Sequence, residues 1–483
     1  MVRLDIRSLR LWAGLLGPVG FFLSLRISLA TDLGPEAQVV LGLLWWMLLW
    51  WIFEIVPLFV TALLPALVLP ILSSLEFAAL LSRYSSPVIA LFLGGFLLSA
   101  AIEKCGLHQL FAQAILRAFG SKKSAVLLAM MTATAFMSAW ISNTASAVIA
   151  LPLVLSVLRW QAKEDPAYSR ALLLGVAYAA SVGGVATIIG SPPNAILVGY
   201  LAENGISISF LQWMLFALPL SLGSLIVVWL YLSRVACRFD RSESLEIPKF
   251  SSWSLDQAQR RTLIVFLSAV FLWIFRAPLS QQFGIQGLTD EMVALSAACL
   301  LFLIPSGKSS ERLLEAPDLQ RVSWGILILF GGGLALSFAV QETGLAEWIA
   351  LQLKFLNQFP SFFVIWGVCL LAIFMTEVTS NTAIAALLVP LVAGLGSYFD
   401  LDVAALLMAT VLACSFAFML PIATPPNAVV FSLGKLKIKE MAKAGLALNL
   451  FFSLVVAVFS SLWLPLILRW TTLSLDGLET VGP

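Results

Sequence analysis

Residues 140–152 read WISNTASAVIALP and residues 378–390 read VTSNTAIAALLVP. The same Ser-Asn-Thr, followed at the same distance by a proline, therefore occurs twice, 238 positions apart. The first copy lies in the middle of 35 residues without a charge, Ser124–Leu158. A helix needs about 20 apolar residues to cross a bilayer, so this run is long for one crossing. At roughly 1.5 Å per residue it is short for two. A helical hairpin with arms of about 17 residues, entering and leaving on one side with the tripeptide at its tip, satisfies both limits. The second copy predicts a matching hairpin from about Ser361 to Gly396.

The rest of the chain supports a membrane reading. Of 483 residues, 60% are hydrophobic and 11% charged, against about 45–50% and about 25% in soluble domains. Other uncharged runs, such as Ile55–Leu75, Tyr84–Ile102, Ala171–Ala202 and Val403–Gly434, approach or exceed spanning length. They do not alternate as the strands of a membrane barrel do. The class is a polytopic all-α membrane protein. Leu11–Leu25, after Arg3, Arg7 and Arg10, reads as a retained first helix because more spans follow. The five cysteines have no metal or disulfide spacing, and Cys299, Cys369 and Cys414 are expected as buried thiols within apolar runs.

Placing the N-terminus in the cytoplasm puts 23 of the 28 Lys and Arg residues in cytoplasmic segments, at 1–10, 104–123, 159–170, 234–261, 306–321 and 434–443. The outer segments then carry acids such as Asp32, Glu36, Asp400 and Asp402, and the C-terminus lies outside. The balance holds only if 124–158 returns to the cytoplasm. On the same count the second hairpin opens outward.

The two halves correspond beyond the tripeptide. FLGGFLLSAAIEKCGL from Phe92 matches FGGGLALSFAVQETGL from Phe330 at an offset of 238, and GSPPNAILV from Gly190 matches ATPPNAVVF from Ala423 at 233. By the charge count Tyr84–Ile102 runs inward and Val322–Gln341 outward, so the repeats are inverted. Inverted repeats with interrupted helices are the architecture of secondary transporters, whose substrates bind near the midplane.

Ser191-Pro192-Pro193-Asn194 and Thr424-Pro425-Pro426-Asn427 interrupt long spans. Proline lacks an N–H and clashes with the preceding turn, so paired prolines predict local unwinding. Irregular backbone at membrane depth is tolerated only where it is buried or lines a cavity. The hairpin tips offer helix N-termini after Asn143 and Asn381, which favour an anion. Carbonyls freed at Gly190 and Ala423, with Ser and Asn oxygens, suit a hard cation such as Na+. The uncharged runs contain no Lys or Arg, so a buried anion would be met by helix ends, hydroxyls, amides and co-bound cations.

Ser, Thr and Pro are ordinary in membrane helices. A lone tripeptide would be structural, but two copies in register, each followed by a proline-broken span, are not explained that way. Glu377 lies three residues before Ser380, and its counterpart is Ala139. It reads either as an orienting group or as a protonatable one. Glu54, before Pro57, reads as structural at a turn, and the single histidine, His108, is not expected to be a ligand.

FEIVPLFVTALLP from Phe53, the paired Ser-Asn-Thr motifs, GSPPNA and FAFMLPIATPPNAVVF resemble the divalent anion/sodium symporter family of di- and tricarboxylate transporters over most of the chain. The resemblance implies eleven transmembrane helices, two re-entrant hairpins, a homodimer held by scaffold domains, and transport domains that move as elevators. Carried over, a first sodium site would use Ser138, Ser142, Asn143 and Gly190, and a second Thr376, Thr379, Asn381 and Ala423, with Thr379 contributing its carbonyl. Substrate carboxylates would meet Asn143, Thr144, Ser380, Asn381 and Thr382, with Pro425 packing nearby. Ser191 stands where the second repeat has Thr424 and keeps the hydroxyl.

The expected division is scaffold 1–123, transport 124–236, a cytoplasmic linker 237–259, scaffold 260–341, transport 342–470 and a tail 471–483. The expected function is sodium-coupled import of a small dicarboxylate such as succinate, malate or fumarate across the cytoplasmic membrane, with no nucleic-acid partner. A sodium-independent dicarboxylate exchanger, or a sulfate or citrate carrier, stands behind it. A passive anion channel could not concentrate substrate. An intramembrane hydrolase lacks its groups, because the chain has no H-E-x-x-H, no G-x-S-x-G and no pair of intramembrane aspartates.

Overall fold

The structure is a computed structural model that describes residues 6–26, 32–159, 161, 164–245, 254–284, 287–307, 311–396 and 402–471. Arg3, Asp400, residues 246–253 of the 237–259 linker and the tail beyond Thr471 lie outside the described residues. The described chain is helical throughout, with two isolated β-bridges and no named strand. Six described helices are long and apolar enough to cross a membrane unbroken.

The first half runs α1 (Ile6–Ser24), α2 (Pro35–Phe53), α3 (Leu64–Leu72), α4 (Pro87–Lys104) and α5 (Leu107–Phe119). It continues with the hairpin α6 (Lys123–Ser138) and α7 (Asn143–Arg159), the interrupted pair α8 (Pro166–Gly184) and α9 (Pro192–Glu203), and α10 (Phe210–Tyr231). The second half repeats the order. It has α11 (Gln257–Phe283), α12 (Asp290–Leu303), α13 (Trp324–Glu342) and α14 (Leu345–Gln352). Then come the hairpin α15 (Ser361–Thr376) and α16 (Asn381–Gly396), the interrupted pair α17 (Val403–Ala413) and α18 (Pro425–Phe431), and α19 (Ile438–Thr471). Both expected hairpins are present. Their arms have 16 or 17 residues, about 25 Å of helix and less than a bilayer core.

The prolines act differently from a break placed within a helix. In both spans the irregular stretch lies before them, at 185–191 and 414–424, and the Pro-Pro pair opens the following helix. Proline is suited to that first position, where its missing N–H has no intrahelical partner to lose. Thr424 caps α18 by accepting the Asn427 N–H at 3.3 Å.

The repeats meet about a pseudo-two-fold axis. Phe92 and Phe330 occupy equivalent positions, and their rings pack edge to face at 4.9 Å. A residue touching its own counterpart must lie on the axis. Backbone packing is paired in the same way. A β-carbon on Gly94 would come within 2.6 Å of Ala294 on α12, and one on its counterpart Gly332 within 2.1 Å of the Ala62 carbonyl. Glycine at both places lets another stretch of backbone approach the helix closely, α12 at Gly94 and the turn at Ala62 before α3 at Gly332.

The base of the first hairpin is tied down by Lys123, which is buried although its ammonium is charged. Its Nζ pairs with Asp165 at 3.0 Å and Glu243 at 2.6 Å, and its N–H donates to the Glu243 carbonyl at 2.9 Å. Two carboxylates compensate a cation that could not be buried alone. The linker after α10 is thereby fastened to the hairpin.

Cys369 and Cys414 are buried as expected, but Cys299 is exposed. The buried side of α12 carries Val293, Ala294, Ala297, Ala298 and Leu301, and Cys299 points away from it. A uniformly apolar run does not reveal which face meets protein and which meets lipid.

Candidate functional site

The two hairpin tips and the two irregular segments converge in the centre of the fold. The second arm of each hairpin packs on the far fragment of the opposite interrupted helix, α7 on α18 and α16 on α9. Cross-links join the halves there. Ser191 Oγ lies 3.3 Å from Ser415 Oγ, and the Tyr178 hydroxyl donates to the Phe418 carbonyl at 2.9 Å.

At the first tip, oxygens gather around Asn143. One end of its side-chain amide lies 2.6 Å from Ser138 Oγ, 3.1 Å from the Gly190 carbonyl and 3.3 Å from the Ala180 carbonyl. Turned with nitrogen toward them, the amide donates to all three. Turned with oxygen toward them, it adds a fourth oxygen to the cluster, and Ser138 Oγ then donates to it at 2.6 Å. Several carbonyl, hydroxyl and amide oxygens around one point are the ligand type that hard cations require. The space depends on glycine, because a β-carbon on Gly184 would come within 2.4 Å of Asn143 Oδ1 and 2.9 Å of the Gly190 carbonyl. Ser138, Asn143 and Gly190 are thus brought together as anticipated. Ser142 instead caps α7, accepting the Ala145 N–H at 3.2 Å.

At the second tip Asn381 Oδ1 is buried with no hydrogen-bond partner. Thr376 Oγ1 donates to the Ile373 carbonyl at 2.8 Å. The Thr379 hydroxyl donates to the Trp51 carbonyl at 3.2 Å, across to the end of α2. That bond engages the hydroxyl proton of Thr379. Thr144 and Pro425 are exposed, and Ser142, Asn143, Ser380 and Asn381 are half-buried. Thr382 is buried. The first turns of α7 and α16 begin at Asn143 and Asn381, where backbone N–H groups lack intrahelical acceptors.

The motif residues at the ends of the two proline interruptions act on the backbone before them. Asn194 and Asn427 clamp the irregular segments identically. Asn194 Nδ2 donates to the Gly184 and Thr187 carbonyls at 3.1 and 2.8 Å. Asn427 Nδ2 donates to the Ala417 and Leu420 carbonyls at 3.4 and 3.0 Å. Every one of those atoms is related to its partner by the 233-residue offset. Both Oδ1 atoms are buried and without a protein partner.

Two further ties join tip to segment. Thr187 Oγ1 donates to the Ala139 carbonyl at 2.5 Å and accepts the Gly190 N–H at 3.1 Å. Glu377 accepts the Met419 and Leu420 N–H groups at 2.8 Å each, and the Asn449 amide at 2.6 Å. Asn449 in turn accepts the Phe418 N–H at 3.1 Å. Of the two roles weighed for Glu377, this geometry is that of an orienting group. Thr187 and Asn449 could have been noticed as isolated polar residues in apolar runs, but nothing local says what they hold. His108 is bonded to the Ile102 carbonyl through Nδ1 at 3.1 Å. Glu54 ends α2 as an exposed residue in a left-handed turn, with φ of 45°.

Residues 48–414 match the family model described as citrate transporter. The chain is 35% identical over 463 residues to the sodium-dependent dicarboxylate transporter SdcS of Staphylococcus saprophyticus, covering 92% of this chain and 89% of that protein. It is 34% identical over 473 residues to the protein of the same name in Staphylococcus aureus, covering 94% and 91%. Among solved structures, a crystal structure of the YdaH transporter from Alcanivorax borkumensis superimposes with a TM-score of 0.57 at 15% identity, over 84% of this chain and 89% of that one. That likeness concerns the fold.

Proposed function

The chain belongs to the divalent anion/sodium symporter family of di- and tricarboxylate transporters, and on that premise we propose that it couples inward movement of a C4-dicarboxylate to sodium. The carrying observation is the oxygen cluster of Ser138, Asn143, Ala180 and Gly190 beside a helix N-terminus at the first tip. A cation held by those oxygens lowers the cost of burying a dianion next to it, in a site with no Lys or Arg. The first cation is assigned to Ser138, Ser142, Asn143 and Gly190, and the second to Thr376, Thr379, Asn381 and Ala423. The substrate carboxylates are assigned to Asn143, Thr144, Ser380, Asn381 and Thr382, beside Pro425.

The protein works in this reading as a homodimer in the cytoplasmic membrane, N-terminus inside and C-terminus outside. Residues 1–123 and 260–341 are the scaffold, and 124–236 and 342–470 the moving part. Elevator movement is supported by the unequal burial of the two hairpins. Second-arm helix α16 packs on α13, α14 and α2, whereas α7 leaves Thr144, Val148 and Pro152 exposed.

Succinate uptake into proteoliposomes tests this. Accumulation driven by an inward sodium gradient into empty vesicles is the expected result. Accumulation only into vesicles preloaded with dicarboxylate, without sodium, would make the protein an exchanger and remove the cation assignments.

A further inference from the structure

The tip-to-segment ties of the two halves serve the same purpose but are built from opposite sides. In the first half the side chain belongs to the irregular segment, Thr187, and it reaches the tip backbone at Ala139. In the second it belongs to the tip, Glu377, and reaches the segment backbone at Met419 and Leu420. The repeat register makes Glu377 the counterpart of Ala139, at 238, and Leu420 the counterpart of Thr187, at 233. Each half therefore has one side chain able to make the tie, and the position facing it is aliphatic. The Asn194 and Asn427 clamps make the same two hydrogen bonds in both halves, whereas this pair of positions exchanges the side chain that makes the tie.

Resting on the functional reading above, we propose that Thr187 and Glu377 are equivalent positioning residues, each fixing the carbonyl-bearing segment of its own half-site against the hairpin tip. In the first half the tied backbone is that of Gly190, whose N–H is held by Thr187 and whose carbonyl belongs to the oxygen cluster. A site of this kind needs its donors held within about 0.5 Å of the productive geometry. A single hydroxyl bridging the Ala139 carbonyl and the Gly190 N–H does so from behind, without occupying a ligand position. Thr187 is 1% exposed, so water does not replace the bond when it is lost.

The test uses the purified full-length protein in proteoliposomes, with choline replacing sodium at constant ionic strength. Thr187→Val keeps the shape and removes the hydroxyl. It should raise the sodium concentration for half-maximal succinate uptake roughly tenfold, as expected for one buried hydrogen bond. The KM for succinate at saturating sodium should stay within about twofold. Thr187→Ser restores the hydroxyl and should restore the sodium dependence. Glu377→Ala should weaken sodium dependence likewise, with Glu377→Gln in between. An unchanged half-saturation in Thr187→Val would overturn the proposal while wild-type sodium coupling stands. A wild type indifferent to sodium would instead sink the functional reading itself. If Thr187→Val does not fold, Thr187→Ser decides: a tenfold loss there would place the effect in the methyl group and overturn the tie.

Discussion

The two Ser-Asn-Thr tips share a sequence and differ in surroundings. Val148 on α7 is 48% exposed, whereas its counterpart Ala386 on α16 is fully buried, and a β-carbon on Gly333 of α13 would come within 3.0 Å of it. Before the second proline pair, Ile422 is 71% exposed; its counterpart Ile189 is buried, and a β-carbon on Gly95 of α4 would lie 3.1 Å from it. The hairpins are alike; what differs is which of them is laid against α2, α13 and α14. An inverted repeat supplies two equal halves, and a single conformation makes them unequal by docking one. Exchange of the two environments would bring Val148 to Gly95 and Ile422 to Gly333.

The largest effect tests whether both halves are needed despite that inequality. Asn143→Ala and Asn381→Ala should each reduce succinate uptake at least a hundredfold, with both variants eluting as the wild type does on size exclusion. Wild-type uptake by either would assign the chemistry to one tip alone. Next in size is accessibility. In a cysteine-free background, an aqueous maleimide should modify Val148→Cys at least tenfold faster than Ala386→Cys. Equal rates would mean that the docked and undocked hairpins interconvert freely and that the difference in burial is not a resting property.

Much of this was legible in the sequence, for identifiable reasons. A charge-free run of hairpin length located the first hairpin, and the repeated tripeptide located the second despite Glu377, because a bilayer sets helix length and the motif marks the tips. Proline pairs located the interruptions, although not the side on which the chain unwinds. Of the oxygen cluster at the first tip, Asn143 and Gly190 lie in repeated motifs and Ser138 entered through the family resemblance; the Ala180 carbonyl was not visible, since any residue supplies one. Glu377 stood out as a charge, but its partners Met419, Leu420 and Asn449 are brought by tertiary packing. Cys299 was misplaced because α12 is apolar on every face. Which hairpin is docked is a property of conformation, which the shared tripeptides do not encode; only differences beside them, such as Thr379 against Ile141, bear on it.

A smaller effect concerns the tip of the docked hairpin. Thr379 bonds the Trp51 carbonyl at 3.2 Å, and its counterpart in the first half is Ile141, which has no hydroxyl. Thr379→Val removes about 1 kcal/mol that favours docking of the second hairpin only. Maleimide labelling of Ala386→Cys should then accelerate about fivefold, with Val148→Cys slowed. No change would show that the bond is incidental to the docked arrangement.

The smallest effect would sharpen the comparison by identifying a contact of the exchanged arrangement. In the docked seam Gln341 donates to the Tyr200 hydroxyl at 2.8 Å and to Asn204 Oδ1 at 3.4 Å, and Arg83 pairs with Glu203 at 3.4 Å. The repeat offsets carry Gln341 to Glu103, Arg83 to Arg321 and Asn204 to Lys437. Gln–Asn in one seam thus becomes Glu–Lys in the other, opposite charges at positions that exchange would bring together. Lys437 is exposed, and Arg321, the counterpart of Arg83, acts on Glu103 electrostatically. Partly exposed pairs contribute roughly 0.2–1 kcal/mol, so Glu103→Lys should slow uptake about two- to fivefold. Lys437→Glu added to it should restore the rate. Failure of the double variant to recover would mean that the second seam closes with a different registry, and that the two halves of the cycle are not mirror images.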